Sequence, residues 1–308
     1  MRGKTKINDT KTNLTTVWSY DKIGAGGEAM KDKEQPRVKE IRKQYVVKAN
    51  DLIRKTRYAL TAQQQKIVLF CISKIRPNDP PGTDYEIDVR ELCAACNLEL
   101  DAGGRYYKTI KTDILNLTQR YWVELPDKTL STVSWIGDAD IIPYSSKVII
   151  HFHPKMAPYL FQLKERYTQY RLEDVLTLKG KHAIRLYEIL RSYVTAREIE
   201  EGYHKRVTIS LSELKHSLDI SNYDRWVDFE RRVISSSINE INKYSQDMQV
   251  TYEPQRDGGH SIEKILFNLS SPRAKQILTA RANKRQRLEG KKEKPRGEQM
   301  TIEIPTTE

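Results

Sequence analysis

The sequence predicts an α+β chain of two tandem winged helix-turn-helix domains between disordered basic arms, on three observations. A unit recurs with a period of roughly 120 residues, too long for a solenoid and suited to a duplicated domain. Each copy runs in the same order: helix, strand, short helix, turn, longer helix, hairpin. The ends also differ from the middle. Residues 1–48 carry 12 Lys or Arg against 6 Asp or Glu, residues 271–308 carry 10 against 5, and both are poor in large apolar residues. In such a unit the short and longer helices form the helix-turn-helix, the hairpin is the wing, and the longer helix lies in the major groove of duplex DNA.

The first copy opens with TAQQQKIVLFCISKI (61–75), where Ile67, Val68, Cys71, Ile72 and Ile75 follow helical spacing behind Thr61 as N-cap. LKGKHAIRLYEILRSY (178–193) fills the same slot in the second copy. A short strand follows in each, YEIDV (85–89) and RVTIS (206–210). The short helices DVRELCAACNL (88–98) and SLSELKHSLDI (210–220) align without a gap and share Glu-Leu at 91–92 and 213–214. The longer helices are placed at about 104–120 and 223–245. The closing hairpins are YWVEL with TLSTVSWIG, and MQVTYEP with SIEKILFNL, the latter turning at Asp257-Gly258-Gly259. The boundaries that result are 1–48 for the first arm, 49–166 and 167–270 for the domains, and 271–308 for the tail.

The longer helices carry the candidate reading faces. At 100° per residue, Tyr107, Ile110, Ile114 and Leu117 share one side of the first. Arg105, Lys108, Thr109, Thr112, Asn116, Gln119 and Arg120 share the other, with Asp113 the one acid of the stretch. In the second, Trp226, Phe229, Val233, Ser237, Ile241 and Tyr244 turn inward. Arg225, Arg231, Arg232, Ser235, Ser236, Asn239 and Lys243 turn outward among Asp224 and Asp228, and Arg256 sits at the tip of the second hairpin. Arg pairs with guanine, Asn or Gln with adenine, and Thr with a phosphate or a thymine methyl, so both faces suit a duplex. An ordinary solvated helix face has a similar composition. What favours reading is that two such faces fill equivalent slots in a basic chain.

The 308 residues include 53 Lys or Arg and 41 Asp or Glu, a net charge of +12. That points to a polyanionic partner. The arms hold +6 and +5 of it, so residues 49–270 are nearly neutral and any basic surface there is local. No run approaches the roughly 18 apolar residues of a spanning helix. The first 17 residues lack the apolar stretch of a secretory signal. With three cysteines, Cys71, Cys93 and Cys96, a disulfide scaffold is not expected and a reducing cytoplasm is.

Other chemistries have weaker support. His151-Phe152-His153 in KVIIHFHP could place two imidazoles on one strand face around a divalent cation, with Tyr167, Tyr170 or Tyr187 as nucleophile, as in a metal-dependent rolling-circle nickase. The alternative is a strand that closes the first domain, and a winged-helix duplication leaves no place for a nicking fold. Cys93-Ala-Ala-Cys96 lacks a second ligand pair, so buried thiols and no metal are expected. No GxxxxGK[ST] loop occurs and GAGG at 24–27 lacks its context, so neither ATPase chemistry nor a cofactor is expected. Tyr106-Tyr107 and Tyr121-Trp122 read as core rather than as a platform for single-stranded bases. A plain winged-helix transcriptional repressor remains a further alternative.

The tandem pattern resembles the replication initiator (Rep) proteins of iteron-containing plasmids. The stretches that carry the resemblance are VVKANDLIRKTRYALTAQQQKIVLFCISKI, LKGKHAIRLYEILRSY and YDRWVDFERRVISSSINEIN, within a similarity spanning residues 45–270. The resemblance implies that the second domain reads origin repeats through the helix of the last stretch. It implies that the first domain adds contacts and a dimer surface, and that dimers repress the initiator's own gene. It implies a host replication initiator and a replicative helicase as partners, in a bacterial cytoplasm. Arg231 and Arg232 match basic positions of the family's reading helix, while Glu230 stands where the family can carry a third basic residue.

Overall fold

The computed structural model describes residues 39–96, 105–119, 121–124, 129–142, 145–256, 258–259 and 261–272. Both arms, apart from the last residues of the first and the first two of the second, lie outside the described residues. The chain folds as two winged-helix units. Each begins with a short strand that runs directly into a short helix: β1 (Tyr45–Ala49) into α1 (Asn50–Lys55), and β7 (Tyr167–Arg171) into α5 (Leu172–Leu176). An 11-residue helix follows in each, α2 (Ala62–Ile72) and α6 (Lys181–Arg191). Thr61 caps α2 as expected. Its hydroxyl accepts from the Gln64 N–H at 3.2 Å, and the Gln64 side chain accepts from the Thr61 N–H at 3.1 Å, a reciprocal capping box.

The next elements also correspond. Strand β2 (Tyr85–Asp88) leads to helix α3 (Val89–Ala95) and the longer helix α4 (Arg105–Thr118). After α7 (Ala196–Glu201), strand β8 (His204–Ser210) leads to α8 (Leu211–Ser217). Asp88 and Ser210 cap the two short helices through their side chains. Three consecutive stretches, Trp226–Phe229, the π-helical Glu230–Ser235 and Ser236–Tyr244, make up the second longer helix, α9. The second unit closes with β9 (Gln249–Arg256) and β10 (Ile262–Ser270), in a sheet of order β8-β10-β9. Gly258 sits at φ +67° in the turn between them, a conformation that glycine adopts without steric cost.

The first wing differs from expectation. The hairpin anticipated after α4 forms, as β3 (Tyr121–Glu124) with β4 (Leu130–Val133), but it makes a sheet of its own. The strands that complete the sheet on β2 are β5 (Ile136–Ile141) and β6 (Lys147–Phe152), in the order β2-β6-β5 that mirrors β8-β10-β9. The β3–β4 hairpin is therefore an insertion, and β5–β6 is the wing. Val148, Ile150 and Phe152 of β6 are buried, which anchors this strand at the centre of the sheet.

The expected division at residues 166 and 167 falls at the head of β7, and β7 does not stand alone. It pairs antiparallel with β1, from Tyr45 opposite Arg171 to Ala49 opposite Tyr167. The equivalent strands of the two copies thus pair with each other. Helix α6 lies beneath, buried from Ala183 to Arg191. Polar contacts reinforce the seam. The Arg185 guanidinium donates to the carbonyls of Thr56 (2.9 Å) and Ser217 (3.2 Å), Arg54 donates to the Ser192 hydroxyl (2.7 Å), and the Gln65 amide donates to the Lys181 carbonyl (3.2 Å). Lys48 and Glu188, both about 1% exposed, form an ion pair of 2.5 Å inside this seam.

Candidate nucleic-acid interface

Helix α9 owes its position to contacts at both ends and along one side. Phe229, Val233, Ile234, Ser237, Ile238 and Ile241 are buried, a stripe wider than the predicted one by Ile234 and Ile238, with Trp226 and Tyr244 half-buried at its ends. The turn before the helix is tied by the Lys215 ammonium, which donates to the Tyr223 carbonyl at 2.7 Å and lies 5.3 Å from the Phe229 ring centre. Glu240 reaches back to the start of α6, where its carboxylate accepts from the N–H groups of Lys179 and Gly180. A Cβ at Gly180 would lie 3.0 Å from that carboxylate, so the glycine allows the close approach. Beyond the helix, the Asp174 carboxylate accepts from the Gln246 N–H at 3.0 Å. Asp247 accepts from Tyr187 (3.1 Å) and Arg191 (3.0 Å). Burial, with the Asp247 carboxylate adding to it, pushes Asp174 up to about 7.

On the other side, Arg225, Arg231, Arg232, Ser236, Asn239 and Lys243 are all exposed, as predicted. Ser235 is the exception among the outward candidates. It is half-buried, and its hydroxyl lies 2.8 Å from that of Tyr252 on β9. Arg231 keeps an exposed pairing with Asp228 at 3.5 Å, which water and phosphates can displace. Arg256 is exposed at the end of β9, next to the turn.

Helix α4 presents the matching face. Ile110, Ile114 and Leu117 are buried, while Lys108, Thr109, Thr112, Asn116 and Gln119 are exposed. The side chains of Arg105, Tyr106 and Tyr107 lie outside the described residues, as do those of Tyr121 and Trp122 and all of Arg120. Asp113 is turned to α2, where it accepts from the Gln63 amide, so the acid of this helix is drawn to its neighbour.

Among the described residues the competing chemistries find no assembled metal site. His151 lies on β6 between Asp138 (2.9 Å) and Asp84 (3.6 Å), both exposed. His153 stands past the strand end, where its Nδ1 accepts from the Lys155 N–H at 3.2 Å. Among the described residues no group of three or more His, Cys, Asp or Glu is placed to hold a metal ion. Cys93 and Cys96 are buried, and burial pushes their thiols up to about 11 and about 12, the protonated form that packs. Among the described residues no helix is long and apolar enough to cross a membrane.

Three residues of this site were not anticipated. Glu240, Asn242 and Tyr252 hold α9 against its neighbours, and all three look like ordinary surface residues in the sequence. Only the partners brought to them by the fold give them a role.

Comparison with known proteins agrees with this architecture. The family profile described as "Initiator Replication protein, WH1" matches residues 45–191, and "Initiator Rep protein, WH2" matches residues 210–269. A "Replication initiation protein" of Escherichia coli is 25% identical over 251 residues, which cover 80% of this chain and 76% of that one. A solved structure titled "Crystal structure of Pi initiator protein in complex with iteron DNA" is similar in fold, with a TM-score of 0.58 and 18% identity over 75% of this chain and 98% of its own.

Proposed function

Because the chain belongs to the replication initiator (Rep) protein family with two winged-helix domains, we propose that it is a sequence-specific duplex-binding initiator of plasmid replication. Its targets are origin iterons, a reading supported by the fold's likeness to the Pi initiator, whose structure is titled as a complex with iteron DNA. The observation that carries this reading is the pair of exposed polar faces in equivalent slots of a duplicated unit: Lys108, Thr109, Thr112 and Asn116 on α4, and Arg225, Arg232, Ser236, Asn239 and Lys243 on α9. In a winged-helix unit these are the groups that meet the major groove. The second unit (167–270) is the main reader, and the first (49–166) adds DNA contacts and the surface for a homodimer. The dimer represses the chain's own gene. The basic arms supply phosphate attraction without sequence preference. Duplex opening draws on binding energy and DNA deformation, with a host initiator and a replicative helicase continuing the work in the bacterial cytoplasm. The chain performs no covalent chemistry itself.

One experiment tests both halves of this reading. Purified chain is mixed with supercoiled and single-stranded DNA carrying tandem direct repeats of about 20 base pairs, two helical turns, beside an A·T-rich stretch, with Mg²⁺ or Mn²⁺. It is expected to retard the repeat-bearing duplex and to cleave neither form. Absence of retardation would overturn the proposal. Cleavage that disappears in His151→Ala or His153→Ala would install the metal-dependent nickase in its place.

A further inference from the structure

Helix α9 contains a feature that a reading helix does not need, the π-helical stretch Glu230–Ser235. A π turn accommodates one extra residue and offsets the faces on either side of it. Val227, ahead of the stretch, and Arg231, inside it, are exposed, as are Arg232, Ser236, Asn239 and Lys243 to the end of the helix. The consecutive residues Arg231 and Arg232 lie inside this stretch and are both exposed.

The two ends of this stretch are held by one side chain from the wing. The Tyr252 hydroxyl donates to the Glu230 carboxylate at 3.0 Å, and lies 2.8 Å from the Ser235 hydroxyl. A phenol has one proton to give and an ionised carboxylate can only accept, so Ser235 must be the donor to the Tyr252 oxygen. Tyr252 therefore bridges the first and last residues of the π stretch. Its own strand is fixed to the same helix two residues earlier. The Asn242 side chain accepts from the Val250 N–H at 2.7 Å and donates to the Val250 carbonyl at 2.8 Å, and Gln249 donates to the Asn242 carbonyl at 3.0 Å. The bridge also draws the Glu230 carboxylate, the acid next to the two arginines, toward the wing.

We infer that Tyr252 is a positioning residue for sequence reading: by spanning Glu230 and Ser235 it fixes against the wing the π turn that carries Arg231 and Arg232 to the duplex. This inference rests on the proposed function, since it assigns a task within DNA reading. It predicts an effect on specific contacts with little effect on general attraction to phosphates, because Tyr252 removes no charge.

The test uses the full chain, a duplex that the wild-type chain selects from a random library, and the same duplex with its base order scrambled. Tyr252→Phe is expected to weaken binding to the selected duplex about tenfold, within the range for a displaced base contact, and to change binding to the scrambled duplex by less than about twofold. Glu230→Gln keeps an oxygen that can accept from Tyr252, and should retain discrimination. In a Glu230→Ala/Ser235→Ala background, Tyr252→Phe should have no further effect, because the partners it acts through are gone. Equal losses on both duplexes, undiminished discrimination in Tyr252→Phe, or a full effect that persists in the double-alanine background would each overturn the inference. If the wild-type chain itself fails to distinguish the two duplexes, it is the proposed function that has failed.

Discussion

Replacing Glu188 by Ala is expected to destabilise the chain by about 3–5 kcal/mol, the usual cost of breaking a buried ion pair from one side. The Glu188 carboxylate is about 1% exposed and holds the equally buried Lys48 ammonium at 2.5 Å. It also accepts from the Tyr170 hydroxyl and has the Arg185 guanidinium 3.9 Å away. Arg185 keeps other partners when Glu188 is lost, namely two carbonyls and the Tyr58 ring 4.5 Å away. Among the described residues Lys48 is left with the face of Trp135, 5.9 Å from the ring centre. An ammonium without a counter-charge in that seam must either be solvated by opening it or lose its proton. The pair is also costly to assemble, so Lys48→Met/Glu188→Leu should be markedly more stable than Glu188→Ala alone. Because β1, β7 and α6 share one core, both units should melt together in a single denaturant transition. A loss below about 1 kcal/mol, against the range for breaking such a pair, would mean that the seam does not bury these charges.

The second large effect concerns DNA. Arg232→Ala is expected to cost about 1–3 kcal/mol on a selected duplex, where a guanidinium can pair bidentately with guanine. It should cost far less on a scrambled one, where that pairing is not made. Lys291, Lys292 and Lys294 of the tail offer point charges to phosphates. Neutralising all three should weaken both duplexes alike and flatten the salt dependence by up to roughly 3 units of slope. Titrations of both duplexes across a salt series separate the two signatures. Equal loss on both duplexes for Arg232→Ala would make α9 a phosphate-binding face.

Much of this was legible in the sequence where local physics decides. The Thr61 cap, the aligned short helices Val89–Ala95 and Leu211–Ser217, the glycine turn at Gly258 and the exposed face of α9 each depend on a few neighbouring residues. What could not be read depends on distant ones. VVKA and YTQYR pair across more than a hundred residues, and nothing within either strand announces its partner. Lys48 and Glu188 resemble surface charges until the fold buries them against each other. The first wing was misplaced because YWVEL and TLSTV are an alternating pair immediately after α4, and they do form a hairpin. The strand that completes the sheet lies farther on, where Val148, Ile150 and Phe152 match the inward residues of β10. The π turn escapes periodicity altogether, since a fixed 100° step assumes its absence. A regular step places Ser235 on the outward face, and the structure half-buries it with its hydroxyl against Tyr252.

The central claim is that this chain reads duplex sequence with two equivalent helices. Selection of random duplexes by the full wild-type chain tests it most directly, followed by hydroxyl-radical footprinting of the winners. The account predicts convergence on one motif, with two protected patches a helical turn apart over about 20 base pairs and the stronger base preference under the second unit. Retained duplexes that share no sequence, with uniform protection along their length, would contradict it.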